Sequence, residues 1–132
     1  MTLFLFLISS AIFGQEIGSI TNGKHLVKLL KTDNLFSWIY SDVNSKTTQA
    51  EKSFNFPNKE TMYNIIIDGF EKKNNHQIIV QTDQDTVVKF EYKKIKGVML
   101  LNINHNNFSS KTVGTSTSFS RQQLKALFGK QA

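Results

Sequence analysis

Residues 76–104, HQIIVQTDQDTVVKFEYKKIKGVMLLNIN, hold three apolar runs parted by two short polar breaks. Runs rich in Val, Ile, Phe and Tyr, bounded by Asp, Gln, Gly and Lys, are the pattern of consecutive strands. In the middle run Val88, Phe90 and Tyr92 alternate with Lys89, Glu91 and Lys93. That period of two puts one face of a strand in the core and the other in water. Asp83-Gln84-Asp85 suits the first turn, because short carboxylates bond nearby backbone amides. Lys94-Ile95-Lys96-Gly97 suits the second, with Gly97 free to take a positive φ. The stretch is an antiparallel three-stranded meander.

Toward the N-terminus, Asn58 is placed to cap a helix over Lys59–Lys72. Met62, Ile66 and Phe70 recur there four apart, with Tyr63 and Ile67 beside them, the spacing of an apolar helical stripe. Gly69 is a point at which that helix stops early. Pro57 ends a preceding strand, Ala50–Phe56, because its nitrogen has no proton for a ladder. Leu35–Ser41 is a further strand with Phe36, Trp38 and Tyr40 on one face. Lys24–Lys31 fits either period, and the Asn22-Gly23 hairpin signal favours a strand.

Toward the C-terminus, His105–Thr117 reads as a polar loop. Ser120 and Gln123 have capping-box spacing for a helix over residues 120–128, and Phe119 with Leu124 fits a hydrophobic staple. Leu124, Leu127 and Phe128 share its apolar face, and Gly129 stands where a helix C-terminal glycine belongs.

The element order is therefore β-β-β-α-β-β-β-α, an α+β chain. The expected architecture is a mainly antiparallel twisted sheet of about six strands with both helices on one face. The aromatic set Phe36, Trp38, Tyr40, Phe54, Phe56, Phe90 and Tyr92 then forms the core beneath the helices. A short echo, Leu30-Lys31-Thr32-Asp33 against Val80-Gln81-Thr82-Asp83, raises the question of an internal repeat.

At 132 residues the chain is expected to hold one domain. Residues 1–14 stand apart from it. Leu3–Phe13 is apolar and uncharged, and too short for a bilayer, which takes about 20 apolar residues. It has the form of a signal-peptide core cut after Gly14, leaving 15–132 as the domain with no membrane span. No Lys or Arg precedes the run, an atypical feature. With no cysteine in the chain, disulfides, thiolate metal sites and thiol nucleophiles are excluded. A cysteine-free exported domain points to a bacterial envelope, periplasmic or secreted.

The net charge is +6, which invites polyanions as partners. The lysines are scattered, however, some beside an acid (Glu51-Lys52, Lys59-Glu60, Glu71-Lys72), and only Lys93, Lys94 and Lys96 cluster. The chain has one arginine, Arg121, whereas base-reading proteins favour Arg for bidentate contacts. Specific nucleic-acid binding is accordingly not expected.

No catalytic or metal constellation stands out. His25, His76 and His105 lack partners at ligand spacing, and H-E-x-x-H is absent. Gly114-Thr115-Ser116-Thr117-Ser118 lacks the closing glycine of a nucleophile elbow. Asp83 and Asp85 are turn residues without further oxygen ligands. No cofactor is expected. The run Asn102–Asn107 is polar enough to line a site. Candidate ligand-binding residues are Trp38, Tyr40, Tyr92 and His105, and candidate polyanion-binding residues are Lys93, Lys94 and Lys96. The leading expectation is a small exported, non-enzymatic protein that binds another protein or an apolar ligand, or serves a structural role. Its rival is a small enzyme with a site built from loop residues around Asn104–Ser118.

Overall fold

The computed structural model describes residues 14–45 and 50–130. The expected leader lies outside the described residues but for Gly14. The order is β1 (Gln15–Asn22), β2 (His25–Thr32), β3 (Leu35–Ser41), β4 (Glu51–Phe56), α1 (Lys59–Gly69), β5 (His76–Gln81), β6 (Thr86–Ile95), β7 (Val98–Asn107), β8 (Thr112–Thr115) and α2 (Arg121–Leu127).

The chain is α+β and antiparallel as expected, but the single sheet of about six strands is corrected. The described residues form two four-stranded sheets, β1-β2-β3-β4 and β5-β6-β7-β8, each a meander of neighbours in sequence. The helices do not share one face of one sheet. Each follows its own sheet and packs against the other. In α1 the Ile66 carbonyl accepts from the Tyr92 hydroxyl of β6 at 2.6 Å. In β1, Gly18 lies so close to the α2 backbone at Ala126 and Leu127 that a Cβ would overlap it. The two helices also meet each other, where Lys59 Nζ donates to the Phe128 carbonyl at 3.1 Å.

The inner faces carry the expected period of two. Leu29, Trp38 and Phe54 stand in register across β2, β3 and β4, and Ile78, Phe90 and Ile103 across β5, β6 and β7. Trp38 joins the layers, with its ring 6.2 Å from Phe90, 6.3 Å from Phe119 and 5.6 Å from Phe128. The aromatic set is thus core, roofed by the opposite sheet as well as by the helices. Tilted and edge-on ring pairs of this kind are each worth roughly 0.5–1.5 kcal/mol beyond burial.

Two strands were not evident in the sequence. β1 has a register shift between Glu16 and Gly18, which breaks the apolar alternation. β8 falls in the expected polar loop, and its buried position is Gly114, with buried Ser116 just beyond it. A Cβ at Gly114 would strike the Tyr40 hydroxyl, so the strand has no large side chain by which to announce itself.

The turns follow local chemistry. Asp85 N donates to Asp83 Oδ1 at 2.8 Å, the Asx turn foreseen there. Lys96 and Gly97 both take positive φ, 52° and 81°, as a two-residue type I′ hairpin requires. The first hairpin turns one residue later than foreseen, with Asn22 paired to His25 and Gly23 at φ 62°. Asn22 instead ties β1 to the start of α2, donating to the Ser118 carbonyl and accepting from Gln123 Nε2.

Candidate binding face on the second sheet

The outer face of the second sheet carries a row of residues in register. Ile79, Lys89, Asn104 and Thr115 stand side by side across β5, β6, β7 and β8, and Gln81, Val87, Asn106 and Val113 form the next row. A period of two places Asn102, Asn104 and Asn106 on this face of β7. Glu91 Oε1 accepts from Asn102 Nδ2 at 3.1 Å and from Asn104 Nδ2. Asn104 Oδ1 in turn accepts from Thr115 Oγ1 at 2.7 Å. The ladder runs over three strands and fixes each amide's orientation, because both ends of Asn104 are committed.

Around it lie apolar side chains in water: Ile79 is 59% exposed, Phe108 59% and Val113 58%. Val87, Lys89, Asn104, His105, Asn106, Phe108 and Val113 line a shallow hollow of about 300 Å³. Isolated exposed aliphatics are ordinary, but a group of them around ordered polar groups has the composition of a contact surface.

Of the residues singled out as ligand-binding, His105 borders this hollow and Trp38, Tyr40 and Tyr92 lie elsewhere. Trp38, Tyr40 and Tyr92 are fully buried and His105 is 2% exposed. Tyr92 is stacked on His76, with ring centroids 4.5 Å apart. His105 belongs to the same strand as the ladder, but its ring turns inward between Tyr40 and Phe54. Its Nδ1 shares a 2.8 Å hydrogen bond with the Tyr40 hydroxyl, and Nε2 has no partner among the described residues. Burial, with the nearby Lys52 charge, holds the imidazole below its ordinary pKa. Burial and the Asp42 charge push the Tyr40 phenol well above its own. Both are therefore neutral at pH 7, with the phenol holding its proton.

Beside this pair the sheets are pinned together. Asp42 at the end of β3 accepts from Lys52 Nζ at 2.6 Å and from the Asn44 and Thr115 amides at 3.1 Å. Burial alone would raise its pKa, but the Lys52 hydrogen bond and the two amides outweigh that and hold it below the usual carboxylate range. Lys52 also donates to the Val113 carbonyl. This arrangement joins β3 and β4 to β8, and its groups are all occupied with one another.

Among the described residues no group of three or more His, Cys, Asp or Glu is arranged to hold a metal ion. Lys93, Lys94 and Lys96 lie together and exposed at the end of the β6–β7 hairpin. The outer-face residues Ile79, Val87, Phe108 and Val113 were missed by sequence reasoning. The signal available was the Asn102–Asn107 run, whose alternate asparagines form the middle of the ladder.

No family model matches the chain, and no curated protein matches it. Among solved structures it is similar to "Crystal Structure of WHY1 from Arabidopsis thaliana", at 10% identity and a TM-score of 0.49 over 86% of each chain. A likeness at that level assigns no function. The exclusion of specific nucleic-acid binding read from the single arginine is withdrawn.

Proposed function

We propose that this chain is a non-enzymatic binding protein whose working surface is the outer face of the second sheet, and that its partner is a protein. The observation that carries this is the exposure of Ile79, Phe108 and Val113 around the Glu91–Asn104–Thr115 ladder. Polar groups already fixed in orientation lose little entropy on contact, and the surrounding apolar groups supply burial. A hollow open to solvent favours a protein surface over a small apolar ligand, which needs enclosure. Export to a bacterial envelope, with a mature chain starting near Gln15, belongs to the same proposal and rests on the apolar run Leu3–Phe13. The mass of the secreted form tests that part.

The rival enzyme reading draws less support. Its candidate base, His105, faces inward, hydrogen-bonds Tyr40 and, among the described residues, donates to no carboxylate.

The test is co-purification of the tagged mature protein from its native envelope, beside a Phe108→Ser/Val113→Lys variant. Both positions are exposed, so the variant should melt within about 0.5 kcal/mol of the parent. The expected outcome is a protein recovered with the parent and lost with the variant. Equal recovery with both contradicts the proposed surface.

A further inference from the structure

The β6–β7 hairpin outruns its neighbours. β5 begins at His76, opposite Tyr92, so Lys93–Ile95 pair only with Val98–Leu100. At the tip Ile95 and Val98 face each other across the ladder, 46% and 56% exposed. Lys93 and Lys94 behind them, and Lys96 in the turn beyond them, are exposed. A second basic segment is held against the same hairpin, because Lys94 N donates to Asn75 Oδ1 at 2.8 Å. That bond brings the loop carrying Lys72 and Lys73 alongside. None of these five lysines forms an ion pair among the described residues. The nearby acids are engaged: Glu71 pairs with Arg121 at 2.7 Å, and Glu91 is bound into the asparagine ladder.

We propose that this hairpin is a membrane-surface contact, in which Ile95 and Val98 enter the headgroup boundary of an anionic bilayer while Lys72, Lys73, Lys93, Lys94 and Lys96 lie over its phosphates. Lysine charge alone fits any polyanion. The exposed aliphatic pair set among the lysines at the tip is what favours a bilayer, since a hydrated phosphate backbone offers nothing for Ile and Val to enter. Long lysine stems also let the ammonium groups stay at headgroup level while the tip goes deeper. This site is separate from the asparagine ladder and does not depend on the proposal for that face.

The test is sedimentation of residues 15–132 with phosphatidylcholine vesicles, with and without about a third phosphatidylglycerol, at physiological salt. Binding is expected only to the anionic vesicles. Each lysine near such a surface contributes about fivefold, so Lys93→Ala/Lys94→Ala/Lys96→Ala should weaken binding roughly a hundredfold. Ile95→Asp/Val98→Asp should release the protein from vesicles while its binding to heparin, which senses charge alone, falls far less. An Ile95→Trp variant should shift its emission to the blue on anionic vesicles, against the constant signal of buried Trp38. No binding to anionic vesicles overturns the proposal. So does vesicle binding that ignores the Ile95/Val98 substitutions, or a single-stranded oligonucleotide that binds at the same salt when vesicles do not.

Discussion

Gly69 and His105 show how one residue can set a local balance. Exchanging glycine for alanine inside a helix ordinarily stabilises it by about 1 kcal/mol. At Gly69 the new Cβ would overlap the Tyr92 ring. That ring cannot simply swing away, because it is fully buried and its hydroxyl is bonded to Ile66. Overpacking of this kind costs roughly 1–3 kcal/mol. Gly69→Ala should therefore destabilise the fold by a net of up to ~2 kcal/mol, measured by urea denaturation. A gain in stability would show that α1 sits further from β6 than described. His105 bears on pH. Its imidazole is held below the ordinary 6.5 by burial and then by Lys52, so it binds a proton more readily unfolded than folded. The stability this favours is whole above pH 6.5 and is lost as pH falls below that value. Between pH 7.5 and 5.5 the parent should lose more melting temperature than His105→Gln, and equal losses would mean that the buried imidazole does not contribute.

At the scale of elements, α2 joins local signals to packing. It has seven helical residues, too few to stand alone in water. Its capping box is formed, with Gln123 N donating to Ser120 Oγ and Ser120 N donating to Gln123 Oε1. Leu124, Leu127 and Phe128 are fully buried. Ser120→Ala should cost about 1 kcal/mol, and Leu127→Ala or Phe128→Ala roughly 2–5 kcal/mol. Thermal melts of these variants, and of a chain ending at Thr117, give the ordering. Coincident curves would mean that the helix is not docked. This element was legible because cap, stripe and terminal glycine all lie within one short stretch. The meander was legible for a related reason, since Val88, Phe90 and Tyr92 alternate without interruption. β8 was not, because its buried position is Gly114, whose smallness is set by Tyr40 on the other sheet. The same limit applies to the candidate face. Its asparagines could be read along β7, but Ile79, Val113 and Phe108 join them only through strand pairing across the sheet.

Across the whole molecule, strands alone do not say how many sheets they form. The division falls where Pro57 ends β4 and α1 carries the chain away to β5. Each sheet then presents an aromatic inner face that the other covers, and each helix crosses to the opposite half. The short echo in sequence does not follow this plan. Thr32-Asp33 lies between β2 and β3, whereas Thr82-Asp83 lies between β5 and β6, one hairpin out of step with the repeated order of four strands and a helix. Exchange of helices leaves both outer faces free, and the two differ. Across β2, β3 and β4 the first sheet's outer row is Leu30, Ser37 and Asn55, where Ser37 Oγ donates to Asn55 Oδ1 at 2.7 Å. Three strands of the second sheet are instead joined by the Glu91–Asn104–Thr115 ladder, with more exposed apolar side chains around it. The most direct measurement is photo-cross-linking in the native envelope, with a benzophenone side chain placed at Val113 on one face or at Ser37 on the other. The account predicts a discrete protein adduct from Val113 and none from Ser37. An adduct from Ser37 alone, or none from either position, would contradict it.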